Sequence, residues 1–165
     1  MTEKTRIVFF SDLHLKDDKI QSQTDIGAPS EIIPERAQRI INHLKPDYIF
    51  NMGDSTSFSR KEEWKNYKKW TDKINVPVFS VFGNHDRNYC IQSSRPGEEY
   101  FTILGNKADT KAYKIGNFVF LLISEEHNPA GSPDLFNSTV PEKRFRFIEK
   151  ILKRYSENNN IFVLS

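Results

Sequence analysis

Three short apolar runs, each followed at once by polar residues, constrain this chain more than any other feature it has. Arg6–Phe10, Tyr48–Met52 and Val78–Phe82 are rich in branched and aromatic side chains and too short for helices, so they read as buried strands. Between the first two, Ala37, Ile40, Ile41 and Leu44 recur at helical spacing; Pro34 suits a first turn and Pro46 stops the helix. Between the second and third, Ser59 to Glu62 reads S-x-x-E, a capping box. It opens a helix with Trp64, Tyr67, Thr71 and Ile74 inward, and Trp64 and Trp70 packed on the sheet at helical spacing. Strand–helix–strand–helix–strand predicts right-handed crossovers, an α/β class and a mainly parallel core sheet. Such a sheet carries its functional loops at the carboxyl ends of its strands.

The remainder has a different character. Thr110–Ile115 and Phe118–Ile123 flank Gly116-Asn117, which predicts a hairpin. Residues 124–138 form a polar loop with Pro129, Gly131 and Pro133. Pro141 begins a helix with Phe145, Ile148, Leu152 and Tyr155 on one face, and Ile161–Leu164 starts a further strand. The 165 residues suit a single domain spanning 1–165, and 13 Phe supply a packed interior. With 24 basic against 22 acidic residues, the net charge of +2 gives no electrostatic footprint for nucleic acid. Cys90 has no partner for a disulfide, and no secretory signal or membrane-length apolar run is present. The expectation is a cytoplasmic protein. The apolar strand Ile161–Leu164 would leave an open sheet edge, which predicts self-association.

The chemistry lies at the three strand ends. Asp12 and His14 follow the first, spaced D-x-H in what reads as an extended loop turning both side chains one way. Gly53-Asp54 follows the second, and Gly83-Asn84-His85-Asp86 the third. In a parallel sheet they converge on one edge. Mixed oxygen and imidazole donors suit Mn²⁺, Fe or Zn²⁺ better than a thiolate-seeking metal. Asp54 can bridge two cations, and Asn84 offers a neutral carbonyl oxygen. His85 would sit beside the metals, with Asp86 holding its imidazole in one tautomer. Singly, each of these residues is ordinary turn and cap chemistry. Together the ordered trio is specific: G-N-H-D alone is expected by chance on the order of once per few thousand such chains. His43 reads as a charge at a helix end, His127 as a solvated loop residue and Cys90 as an unreactive thiol. Lys61, Lys65, Lys68 and Lys69 read as a solvated helix face.

These motifs resemble the first three of the calcineurin-like metallophosphoesterases, over essentially the whole chain from Ile7 to Ser165. The resemblance implies the N-terminal part of an αββα sandwich around two divalent metal ions, Mn²⁺ or else Fe or Zn²⁺. It places Asp12 and His14 on the first ion, Asp54 between the two and Asn84 on the second. His85 would contact the scissile phosphate and protonate the leaving oxygen, and Asp86 would orient His85. The implied reaction is hydrolysis of a small phosphodiester or phosphomonoester by in-line attack of metal-bound hydroxide. The family's three remaining ligand histidines would follow Ile161–Leu164, so the resemblance makes this a domain truncated at its C-terminus. Ser57 stands where purple acid phosphatases place a tyrosine, and the strand–helix spacing is most similar to class III cyclic-nucleotide phosphodiesterases. A catalytically incomplete scaffold or binding module is one alternative; a nuclease of the same superfamily is another, opposed by the near-neutral charge.

Overall fold

Continuous branched and aromatic side chains let the three apolar runs pair edge to edge as strands. In the computed structural model they form β1 (Ile7–Phe10), β2 (Tyr48–Asn51) and β3 (Val78–Ser80), a parallel sheet in the order β1-β2-β3. The structure describes residues 4–17, 32–83, 85–88, 103, 110–124, 126–127, 138–139, 142–157 and 159–165. Register pairs Val8 with Ile49 and Ile49 with Val78, so these side chains share one face. That face meets α1 (Ile32–Leu44) and α2 (Lys61–Thr71) in a core of Ile41, Trp64, Tyr67, Trp70 and Ile74. The other face carries Phe9, Phe50 and Phe79, with ring centroids 5.5 and 5.2 Å apart in that order.

Local signals account for most helix ends. Pro34 lies in the first turn of α1, and the helix stops short of Pro46, with Lys45 already left-handed at φ +48°. The inner stripe of α1 is narrower than its spacing predicts: Ile41 is buried but Ile40 is 57% exposed. The start of α2 is shifted by one residue. Arg60, not Ser59, is the N-cap, and Glu63, not Glu62, reaches back to the Arg60 amide at 3.0 Å. Ser59 cannot cap because its hydroxyl is engaged elsewhere: it donates to the Asp86 carbonyl (2.5 Å) and accepts from Trp64 Nε1 (3.1 Å). Trp70 Nε1 donates to the Pro34 carbonyl, which ties α2 to α1.

The chain divides into two compact units, Met1–Asn106 and Lys107–Ser165. The first holds the parallel sheet and the short helix α3 (His85–Asn88). In the second, β4 (Thr110–Ile115) and β5 (Phe118–Ile123) form the predicted hairpin, and β8 (Asn160–Leu164) adds in parallel to β5. Between β5 and β8 come a two-stranded pair, β6 (Glu126–His127) with β7 (Ser138–Thr139), and helix α4 (Glu142–Tyr155). Thus the ends of the expected loop 124–138 are paired strands. Val119, Leu121 and Ile151 form the second core, joined by Phe147, Ile148 and Tyr155. Helix α4 keeps half of its predicted face: Ile148 and Tyr155 pack in this core, but Phe145 (54%) and Leu152 (37%) are exposed, while Arg144 is buried and donates to the Ser124 carbonyl. Phe147 and Ile151 complete the buried stripe.

Candidate metal centre

Past the ends of β1 and β2 the two chains stay side by side but leave strand geometry. The Met52 amide donates to the Phe10 carbonyl (2.8 Å), Asp12 to Gly53 (3.1 Å), His14 to Asp54 (2.9 Å) and Leu15 to Ser55 (3.0 Å). Asp12, His14 and Asp54 sit in the left-handed region, with φ of +59°, +44° and +51°. L residues with a side chain enter that region at a cost and persist there only when the surroundings hold them. The D-x-H segment is therefore not extended, as its spacing suggests; both acceptor-bearing residues are turned by left-handed backbone. The polar clusters that interrupt the runs also explain why the observed strands are shorter than the apolar runs.

The glycines are where chain meets chain. Gly53 has φ +106°, and a Cβ on it would lie 2.6 Å from the Gly83 nitrogen. A Cβ on Gly83 would lie 2.1 Å from Asp54 Oδ1. Only two residues without side chains let the ends of β2 and β3 close on the carboxylate between them.

This geometry gathers four of the six expected site residues. One ligand atom each of His14, Asp54 and His85 lies within 4.8 Å of the others. His14 Nε2 is 3.5 Å from Asp12 Oδ1 and 3.8 Å from Asp54 Oδ2. The two imidazoles meet edge to face, with centroids 4.6 Å apart. The Asp12 side chain is 64% exposed and that of Asp54 only 14%, so Asp12 stands at the mouth and Asp54 at the floor. The Asp54 carboxylate also accepts the His85 amide at 3.0 Å, which fixes the start of α3 against it. Asn84 lies outside the described residues, as do Cys90 and the side chain of His127. His43 is exposed in the last turn of α1, remote in sequence from these loops.

Asp86 departs from its expected task. It is fully buried, and its carboxylate accepts the amides of Ser55 (3.2 Å), Thr56 (2.9 Å) and Gly83 (3.1 Å) and the Thr56 hydroxyl (2.9 Å). Burial pushes its pKa up to about 6, against the opposing pull of those amides. Asp86 therefore ties the loop after β2 to the end of β3. The His85 ring is held instead by the Ser57 carbonyl, 2.8 Å from Nδ1. The Ser57 hydroxyl donates to the His14 carbonyl at 2.8 Å, so one residue touches both histidine positions. Under the floor, Asn51 accepts the Gly53 amide (3.2 Å) and donates to the Ser55 hydroxyl (2.6 Å) and Tyr67 (2.8 Å). Tyr67 in turn meets the Ser80 hydroxyl, and burial holds its phenol above the usual pKa. Asn51 was not singled out by sequence, and Ser57 was noted there without any role at His85; the visible trace was a run of small hydroxyl residues, Ser55-Thr56-Ser57, directly after Gly53-Asp54.

A family model described as calcineurin-like phosphoesterase matches residues 5–163. No curated protein sequence matches the chain. Among solved structures, a dimetal phosphatase from Danio rerio is similar in fold, with a TM-score of 0.67 at 11% identity over 98% of this chain and 69% of that one. A purple acid phosphatase from yellow lupin (Lupinus luteus) seeds aligns with a TM-score of 0.57 at 19% identity, over 90% of this chain but only 27% of its own length. Among the described residues no helix is long and apolar enough to cross a membrane.

Proposed function

The chain belongs to the calcineurin-like phosphoesterase family, and from that premise we propose that it takes part in metal-dependent hydrolysis of a small phosphate ester, with Asp12, His14, Asp54 and Asn84 as metal ligands and His85 at the scissile phosphate. The observation that carries this is the meeting of His14, Asp54 and His85 within 4.8 Å, on backbone bent into the left-handed region at both His14 and Asp54. Imidazole nitrogens beside carboxylate oxygens fit divalent ions of intermediate softness, with Mn²⁺ the first choice and Fe or Zn²⁺ next. When bound, such ions lower the pKa of an attacking water and neutralise charge on the phosphoryl oxygens.

The protein's own groups then have distinct tasks. The sheltered Asp54 carboxylate holds the floor of the site and, through the His85 amide, the start of α3. Because a carbonyl can only accept, the Ser57 contact requires the proton on His85 Nδ1. As an imidazolium, His85 can donate its Nε2 proton to the departing alkoxide oxygen. The nearly balanced 24 basic and 22 acidic residues favour a small ester over nucleic acid, and the single Cys90 suits a reducing, cytoplasmic setting.

The test compares hydrolysis of bis(4-nitrophenyl) phosphate and 4-nitrophenyl phosphate by the full-length protein with Mn²⁺, and with Mn²⁺ removed by chelation. Turnover that requires the metal supports the reading, and the preferred probe separates diester from monoester chemistry. Asp54→Ala should lose Mn²⁺ binding and turnover together. His85→Ala should keep Mn²⁺ and lose about 10²- to 10⁴-fold in turnover. Equal metal loss in both variants would remove the separate role of His85. A folded protein that binds no Mn²⁺ would be a scaffold.

A further inference from the structure

Glu63 lies in the first turn of α2, outside every motif, and is fully buried. A fully buried carboxyl group is costly and needs a reason to be retained. One of its oxygens, Oε2, accepts the amides of Phe58 (2.9 Å) and Arg60 (3.0 Å); the other, Oε1, has no hydrogen-bond partner among the described residues. The Phe58 amide is the N–H half of the peptide whose C=O half is Ser57, and that carbonyl holds His85 Nδ1. This peptide is trans, so its N–H and C=O point in opposite directions from one rigid plane. The carboxyl group thus grips one side of an amide plane while the imidazole rests on the other.

We propose that Glu63 is a positioning residue for His85, acting through the peptide between Ser57 and Phe58. An acceptor on the N–H side strengthens the carbonyl as an acceptor, since linked hydrogen bonds polarise one another. It also prevents the plane from rotating, which would take the carbonyl away from Nδ1. Glu63 thereby selects the His85 tautomer and ring orientation, the task that the sequence assigns to Asp86. The second grip, on the Arg60 amide, anchors the same loop to the start of α2. Arg60 in turn stacks its guanidinium over the Phe58 ring at 4.6 Å, closing residues 57–60 into one tied unit.

The proposal rests on the phosphoesterase reading for its consequence in turnover, but its geometry can be tested without activity. The first readout is the ring-nitrogen NMR spectrum of His85 in full-length, metal-free protein, where the proton should sit on Nδ1. In Glu63→Leu the spectrum should shift toward a mixture of tautomers. In Glu63→Gln, whose amide oxygen can still accept from Phe58 and Arg60, the Nδ1 form should persist. The second readout is kinetics with Mn²⁺ and whichever nitrophenyl ester is turned over. Glu63→Leu should lower kcat about 10- to 100-fold with KM and Mn²⁺ affinity nearly unchanged, and Glu63→Gln should restore most of it. Should Glu63→Leu fail to fold, Glu63→Asp keeps the carboxyl group but withdraws it from the two amides, and the same tautomer shift is expected. A folded Leu or Asp variant with an unaltered His85 spectrum overturns the proposal. If the wild-type protein turns over neither ester, the phosphoesterase reading fails, and the tautomer readout still decides the role of Glu63.

Discussion

Among the described residues, two three-stranded sheets hold their turns by opposite means. In β4-β5-β8 the tight turn is local: Gly116 takes φ +59°, and a Cβ placed there would meet nothing within 4 Å. In β1-β2-β3 the strand ends are held by chain packed on chain. Gly53 and Gly83 abut each other, and Asp54, Asp12 and His14 are bent left-handed beside them. A parallel sheet stores its chemistry where its strand ends meet. A hairpin turn asks only for residues that tolerate its dihedrals. A site assembled from three strand ends asks that each loop be fixed by the others, which costs strain and takes a network of buried hydrogen bonds.

The sharpest break of that comparison is Gly83→Ala. Its methyl group would lie 2.1 Å from Asp54 Oδ1 and 2.6 Å from the Asp54 nitrogen, so the carboxylate must move. Displacement by about 1 Å costs roughly 10²-fold in turnover. Loss of Mn²⁺ binding, followed by the metal's paramagnetic signal, should accompany it. Unchanged Mn²⁺ binding in a folded Gly83→Ala protein would mean that the close approach is incidental to the site.

What could be read from sequence divides along the same line. The hairpin ends were legible to the residue, because Gly116-Asn117 and the apolar runs around it act locally. The parallel sheet and the convergence of Asp12, His14, Asp54 and His85 were legible because strand order dictates which ends meet. The fixings of the site were not. Ser57 holds His85 with a backbone carbonyl, a group every residue has, so no side-chain pattern announces it. Asp86 follows His85 directly and looks like its partner, but burial among the amides of Ser55, Thr56 and Gly83 gives it another use. The one-residue error at the start of α2 has the same origin: Ser59 is the better cap by composition, but its hydroxyl is taken by the Asp86 carbonyl and Trp64.

Asp86 offers the next test, of stability rather than activity. Its pKa is about 6 in the folded protein against 3.8 when unperturbed, so the folded state takes up the proton more readily than the unfolded chain. The contribution of this group is fully present below about pH 3.8 and is lost as the pH rises through about 6. The interval corresponds to on the order of 3 kcal/mol. Urea unfolding of metal-free protein should show the free-energy difference between wild type and Asp86→Asn falling by that order from pH 4 to pH 7. A difference that stays flat across this window would place the titration elsewhere.

The smallest effect belongs to the hairpin. Gly116→Ala meets no neighbour, so its cost is only that of holding an L residue in the left-handed region, about 1–2 kcal/mol. Part of that is offset because alanine has fewer unfolded conformations to lose than glycine. For a chain of this size the melting temperature should fall by a few degrees, roughly 2–4 °C per kcal/mol. Gly116→Asn should cost less again, since asparagine enters this region more easily. Both variants should bind Mn²⁺ as the unmodified protein does. If Gly116→Ala instead cost as much as Gly83→Ala, the hairpin turn would be held by packing as well, and the distinction between a local turn and an assembled one would fall.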